Sequence, residues 1–158
     1  MIQRKQTIYL FLAAVVMALD FVFPIASFIG SGQYQLQFYI YRVVSMVPDM
    51  TPPFDVMFVA PVTAFTGLVV FGSLVTIFLY RNRIKQAKMV RGLVIFTLAD
   101  VALLFFYNIP ALEKLTGYRA DYNYVGIAMP LLALVLLILA VGGIIKDEKL
   151  VRSADRLR

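Results

Sequence analysis

"RNRIKQAKMVR", residues 81–91, sets five cations between two apolar runs. To its left, Val56–Tyr80 carries no charged residue; to its right, Val90–Tyr107 carries Asp100 within its apolar core. Each run is near the ~20 residues that a helix needs to cross a hydrocarbon core. A short basic stretch between two such runs reads as a tight link on one side of a bilayer.

Two further runs qualify, Ile8–Ile29 and Tyr124–Ile145. A bilayer core leaves no water for backbone polar groups, so only helices and closed barrels cross it. Four runs without period-2 alternation mean helices. The expected fold is an all-α membrane protein: one integral domain, residues 1–158, built as a four-transmembrane-helix bundle. Residues 146–158 form its helical tail.

The cations orient it. Arg4 and Lys5 precede the first run; Arg81, Arg83, Lys85, Lys88 and Arg91 fill the link; Lys146, Lys149, Arg152, Arg156 and Arg158 follow the fourth. The other two loops hold only Arg42, Lys114 and Arg119. The positive-inside rule then puts both termini and the link in the cytoplasm. The first run has the basic start of a signal peptide. It continues past Asp20 without an A-x-A-like cleavage site, so it is expected to remain as a helix.

Composition agrees with a membrane location and excludes much chemistry. The chain of 158 residues is 61% hydrophobic and 15% charged, with mean hydropathy +0.84; a soluble domain of this size cannot bury so much apolar surface. Cysteine, histidine and tryptophan are absent. There is no thiol nucleophile and no disulfide framework, and a transition-metal site would rest on carboxylates alone. No cofactor is expected. The net charge of +6 and pI near 9.7 accompany no nucleic-acid-binding motif, so they read as a cytoplasmic face rather than a nucleic-acid surface.

In the first outer loop, Tyr34, Leu36, Phe38 and Ile40 alternate with Gln35, Gln37, Tyr39 and Tyr41. Period-2 alternation rich in aromatics predicts a short strand, ended by Pro48, Pro52 and Pro53. It either lies over the helix ends at the interface or offers an edge to a ligand. The second outer loop predicts only a turn at Gly117.

Asp20 and Asp100 stand out. Counted along their helices, they lie about 18 and 15 Å from the cytoplasmic ends, at similar depth. No intramembrane cation is available to either, so both are expected in the neutral, protonated form. Pro24 would free the carbonyl of Asp20 and make "DFVFP" a polar kink. Thr66 and Ser73, seven apart on the second run, offer hydroxyls on one face, and Ala60, Ala64 and Gly67 would admit a neighbouring backbone there. One reading makes the acids hydrogen-bonded glue between helices; the other makes them a proton-carrying pair.

The fourth run continues into "KDEKLVRSADRLR" without a helix stop. Leu150, Ala154 and Leu157 make a narrow apolar stripe, and Glu148/Arg152 and Asp155/Arg158 are spaced for ion pairs. This tail either rests near anionic headgroups or docks a cytoplasmic partner.

Three stretches carry a resemblance: "MIQRKQTIYLFLAA" at the start, "IFLYRNRIKQ" closing the second run, and "KDEKLVRSADRLR" at the end. In this order and separation the chain resembles, over essentially its whole length, a family of small four-helix inner-membrane proteins of Bacteroidota known as a domain of unknown function. The resemblance implies a multi-pass protein of a bacterial inner membrane and assigns no activity, substrate or cofactor.

The expected function is that of a non-enzymatic adaptor or accessory subunit. Its basic face (Arg81, Arg83, Lys85, Lys88, Lys149, Arg152, Arg156) would meet anionic lipid headgroups or a membrane or cytoplasmic protein. The alternative is a small homo-oligomeric transporter or channel, proton-coupled through Asp20 and Asp100. An enzyme would need a nucleophile–base pair or metal ligands, which two acids do not supply.

Overall fold

The computed structural model describes residues 5–29, 35–48, 51 and 54–156; the side chains of Arg152 and of residues 154–156 lie outside that description. In chain order the elements are α1 (Lys5–Leu19), β1 (Ala26–Phe28), β2 (Leu36–Tyr39), β3 (Arg42–Ser45), α2 (Val56–Phe78), α3 (Arg83–Leu103), α4 (Ile109–Thr116), β4 (Asp121–Tyr122) and α5 (Tyr124–Arg156). A 3-10 turn, Leu79–Arg81, closes α2.

The long helices owe their packing to a repeat alternating three and four residues. Buried positions run Val59, Val62, Thr66, Val69, Ser73, Thr76 on α2 and Gln86, Val90, Leu93, Thr97, Asp100 on α3. On α5 they run Ala133, Leu137, Ala140, Ile144, and on α1 Gln6, Leu10, Ala13, Met17, with Asp20 next in step. A spacing averaging 3.5 keeps one seam facing the neighbours along a whole helix, as in bundles and coiled coils. The link between α2 and α3 is tight because Asn82 caps α3, its side-chain oxygen accepting from the Lys85 N–H at 3.1 Å.

Among the described residues, three helical stretches are long and apolar enough to cross a membrane: Val56–Arg81, Arg83–Thr116 and Tyr124–Val151. The sequence expectation of a fourth, Ile8–Ile29, is corrected. Over the described residues α1 has 15 residues, about 22 Å at 1.5 Å per residue, short of a ~30 Å hydrocarbon core. It ends at Leu19, whose carbonyl accepts from the N–H groups of Val22 (2.9 Å) and Phe23 (3.3 Å). Pro24 explains the stop: it disfavours helical conformation at Phe23 and has no N–H of its own. Sheet bonds then replace helical ones, with Ile25 N–H donating to the Phe38 carbonyl at 2.8 Å and Asn123 N–H to the Ile25 carbonyl at 2.9 Å.

The fold is therefore not all-α. It is mostly helical with a four-stranded antiparallel sheet, order β3-β2-β1-β4. The strand expected in the first outer loop is present as β2, with Leu36 and Phe38 buried and Gln37 and Tyr39 half-buried; Tyr34 lies outside the described residues. β1 comes from the end of the run expected to be helical, and β4 from the second outer loop.

The third run also extends beyond its expected bounds of Val90–Tyr107. α3 begins at Arg83 and continues through a π-helical segment, Leu104–Asn108, into α4. Pro110 cannot donate to the turn before it; the backbone widens there, the Ile109 N–H reaching back five residues to the Leu104 carbonyl. Gly117, in left-handed conformation at φ 74°, ends α4 at the expected turn, and its N–H donates to the Glu113 carbonyl at 2.9 Å.

Two apolar cores result. One joins the four seams through Leu10, Met17, Val69, Val90, Leu137 and Ile144. The other lies under the sheet, where Phe28, Leu36, Phe38 and Ile40 meet Val59, Val62, Leu104 and Leu112.

Candidate functional site

Between these cores lies a layer of polar side chains. Asp20, Thr66, Thr97 and Asp100 are each fully buried, and each falls on its helix seam between residues of one core and residues of the other. The Thr66 hydroxyl donates to Asp100 Oδ2 at 3.2 Å, a bond worth about 0.5–1.5 kcal/mol net. The Thr97 hydroxyl turns back to the Leu93 carbonyl, 2.9 Å away. Asp20 lies near Asp100 in this layer. Among the described residues, neither oxygen of Asp20, nor Asp100 Oδ1, nor the Ser73 hydroxyl has a hydrogen-bond partner.

The structure thus brings three of the four expected intramembrane residues into one layer, Asp20, Asp100 and Thr66. Ser73 lies two turns further along α2. The polar kink expected at "DFVFP" does not form, because the chain has left the helix before Pro24. The close approach expected at Ala60, Ala64 and Gly67 is also corrected: Ala64 is exposed and a Cβ on Gly67 would meet nothing within 4 Å. The tight contact is at Gly126 on α5, where a Cβ would run into the Pro24 carbonyl oxygen and the Ile25 Cα.

A second polar layer lies nearer the basic end and was missed in the sequence. Gln6 and Gln86 are buried, and Gln86 Nε2 donates to the Thr76 carbonyl at 3.1 Å. Gln6 sits against Gly143, where a Cβ would be 3.5 Å from the Gln6 Cβ. The signal was present: Gln86 stands two turns before Leu93 on the seam that carries Asp100. At the sheet end, Asn108 is buried and its Nδ2 donates to the Phe58 carbonyl at 3.1 Å.

The expected docking residues gather at the end opposite the sheet. Arg81, Lys85, Lys88 and Lys149 are exposed, while Arg83 turns inward and donates from Nη1 to the Asp147 carbonyl at 2.8 Å, tying the start of α3 to α5. Arg152 and Arg156 lie on the helical backbone of α5, with side chains outside the described ones. Of the tail's apolar stripe, Leu150 is exposed, Ala154 falls among the undescribed side chains, and Leu157 lies outside the described residues. At the other end, the outward side of the sheet carries Arg42 over the rings of Tyr39 and Tyr41, 5.6 and 5.1 Å from their centroids.

The arrangement is that of a bundle whose termini-bearing end is basic and whose middle holds two carboxyls. The profile of a family described as a domain of unknown function, DUF4293, matches residues 2–157. The chain belongs to this family. A comparison with curated proteins returned no match. Membership agrees with the resemblance carried by the opening, the "IFLYRNRIKQ" stretch and the tail, and brings no substrate or cofactor to the carboxyl layer.

Proposed function

We propose that this chain is a multi-pass protein of a bacterial inner membrane, with both termini in the cytoplasm, and that it acts without catalysis as an adaptor or accessory subunit. The observation that carries this reading is the inverted distribution of side chains. In the most apolar stretch of each long helix only 28% of residues are buried, while Asp20, Asp100, Gln6 and Gln86 lie inside. An apolar exterior of this extent is stable in lipid and costly in water. The cations at the α2–α3 link and on α5 mark the cytoplasmic side. α1, too short to cross alone, hands over to the sheet. There, non-helical backbone is tolerated at membrane depth because its polar groups are paired within protein.

The tail of α5 and the α2–α3 link form the face on which a partner would dock. Affinity purification from native membranes, with the tag at the N-terminus, tests it. A partner recovered near stoichiometry and lost on deleting residues 149–158, but kept in Asp100→Asn, is the expected outcome. An unchanged set of partners after that deletion would overturn it.

One observation favours a second reading, in which the acids carry protons. The two buried carboxyls share a layer with a single side-chain hydrogen bond between them and Thr66, and buried ionisable groups in membrane helices commonly serve proton relays. Reconstituted protein would then pass a pH-dependent flux that Asp20→Asn and Asp100→Asn abolish. Equal flux in both variants and the wild type removes this reading.

A further inference from the structure

At the basic end, the first turns of α3 and the late turns of α5 line a groove of about 300 Å³, formed by Ile84, Ala87, Lys88, Arg91, Ile145, Glu148 and Lys149. The lining positions on α3 are spaced three and four apart, and so are those on α5, so each helix turns one face to the groove. The volume falls at the low end of the ~300–1,000 Å³ typical of small-ligand sites. Three cations stand against one carboxylate. Close by, Arg83 is committed to the Asp147 carbonyl.

The position of the groove matters as much as its charge. Arg91 is the last cation before the apolar part of α3, which begins at Gly92, and Ile145 is the last apolar residue of α5 before Lys146. The cations therefore sit where water gives way to hydrocarbon, and Ile145 continues the groove toward the apolar exterior. A ligand that fits is anionic at its head and apolar below. We propose that this groove binds an anionic phospholipid, its phosphodiester held by Lys88, Arg91 and Lys149 and its acyl chain lying against α3 and α5. Cation-rich clefts between membrane helices on the cytoplasmic side suit such headgroups, and an Arg fork matches phosphate oxygens. This rests on reading the basic end as the cytoplasmic face of a membrane protein. It assigns the groove to lipid and leaves the tail beyond it to the protein partner.

The test uses the full-length protein in a neutral detergent, with phosphatidylglycerol or phosphatidylcholine added, and counts retained lipid by native mass spectrometry. The wild type is expected to retain phosphatidylglycerol over phosphatidylcholine. Lys88→Gln/Arg91→Gln/Lys149→Gln should lose that affinity on the order of a hundredfold, at about fivefold per cation. Arg4→Gln/Lys5→Gln/Lys146→Gln, which removes the same charge from basic flanks outside the docking face, should stay close to wild type. If the first variant does not fold, Arg91→Gln alone, at an exposed position, carries the test with about a fivefold loss. Equal losses in the two triple variants, or no headgroup preference, would overturn the proposal by reducing the groove to diffuse charge. Displacement of the lipid by millimolar inorganic phosphate would overturn it in favour of a soluble anion. Failure of the membrane reading is separately visible: alkaline carbonate would then release the wild-type chain from membranes.

Discussion

In the half of the molecule nearer the basic end, every seam contact comes from residues three or four apart on continuous helices, and Leu10, Val69, Val90 and Leu137 meet there as one core. In the half nearer the sheet, the core is assembled from pieces far apart in sequence: Phe28 on β1, Phe38 on β2, Val62 on α2, and Leu112 on α4. The first half is held by a repeat that any one helix displays alone. The second exists only after Ala26 pairs with both Phe38 and Tyr122 across two different strands. Local order supports one half and long-range pairing the other, with the carboxyl layer at the boundary.

The largest expected effect tests whether the two cores are separate. Phe38→Ala empties the centre of the sheet-side core, where the ring is fully buried, and should cost about 3–5 kcal/mol. Leu137→Ala does the same in the helical core at about 2–5 kcal/mol. If the polar layer divides the cores, the double variant should sum the single losses within roughly 0.5 kcal/mol, as for distant sites. Denaturation in detergent, followed by circular dichroism, measures all three. A coupling well above that would make the molecule one core, and the comparison would break.

The contrast also explains what could be read from the sequence. The seams of α2, α3 and α5 were legible because apolar periodicity and basic flanks act locally. The helical tail was legible because nothing between Ile145 and Arg156 stops a helix. β2 was legible from the alternation of Leu36, Phe38 and Ile40. The break at Leu19 was not, because the run stays apolar through Ile25, Ala26 and Phe28, and the strand Ala26–Phe28 depends on pairing with Leu36–Phe38 and Asp121–Tyr122. The run-on through Leu104–Asn108 was hidden by Asn108 and Pro110, both ordinary stop signals. Of the carboxyl layer, the pairing of Thr66 with Asp100 follows from two seams facing each other. The nearness of Asp20 to Asp100 depends on where α1 stops.

At the boundary, Gly126→Ala should come next in size. The added methyl meets the Pro24 carbonyl oxygen and the Ile25 Cα, backbone atoms that cannot rotate away, so α5 must shift from the segment that links α1 to β1. Overpacking of this kind costs about 1–3 kcal/mol, and the fall in melting temperature should exceed that of any alanine placed at an exposed α5 position. Smaller again is Thr66→Val, which keeps the shape and removes the donor to Asp100 Oδ2. It should cost about 1 kcal/mol, with Thr66→Ser restoring most of the loss. A Ser variant no better than Val would mean that the methyl, not the hydroxyl, matters there.

The smallest effect has the opposite sign. Gly67 lies in the middle of α2, one residue past Thr66, and a Cβ there would meet nothing within 4 Å. Its helical backbone gains nothing from the freedom of glycine, and that freedom is lost on folding. Gly67→Ala should therefore stabilise the protein by about 0.5–1 kcal/mol, seen as a modest rise in melting temperature in the same detergent. The same substitution that breaks the junction at Gly126 is then harmless one layer away, because Gly126 faces another backbone and Gly67 does not. A fall at Gly67 would mean that a surface outside this chain packs against α2 there. The homo-oligomer of the alternative transporter reading would then have its contact on that face, to be sought by cross-linking through a cysteine introduced at the exposed Leu68.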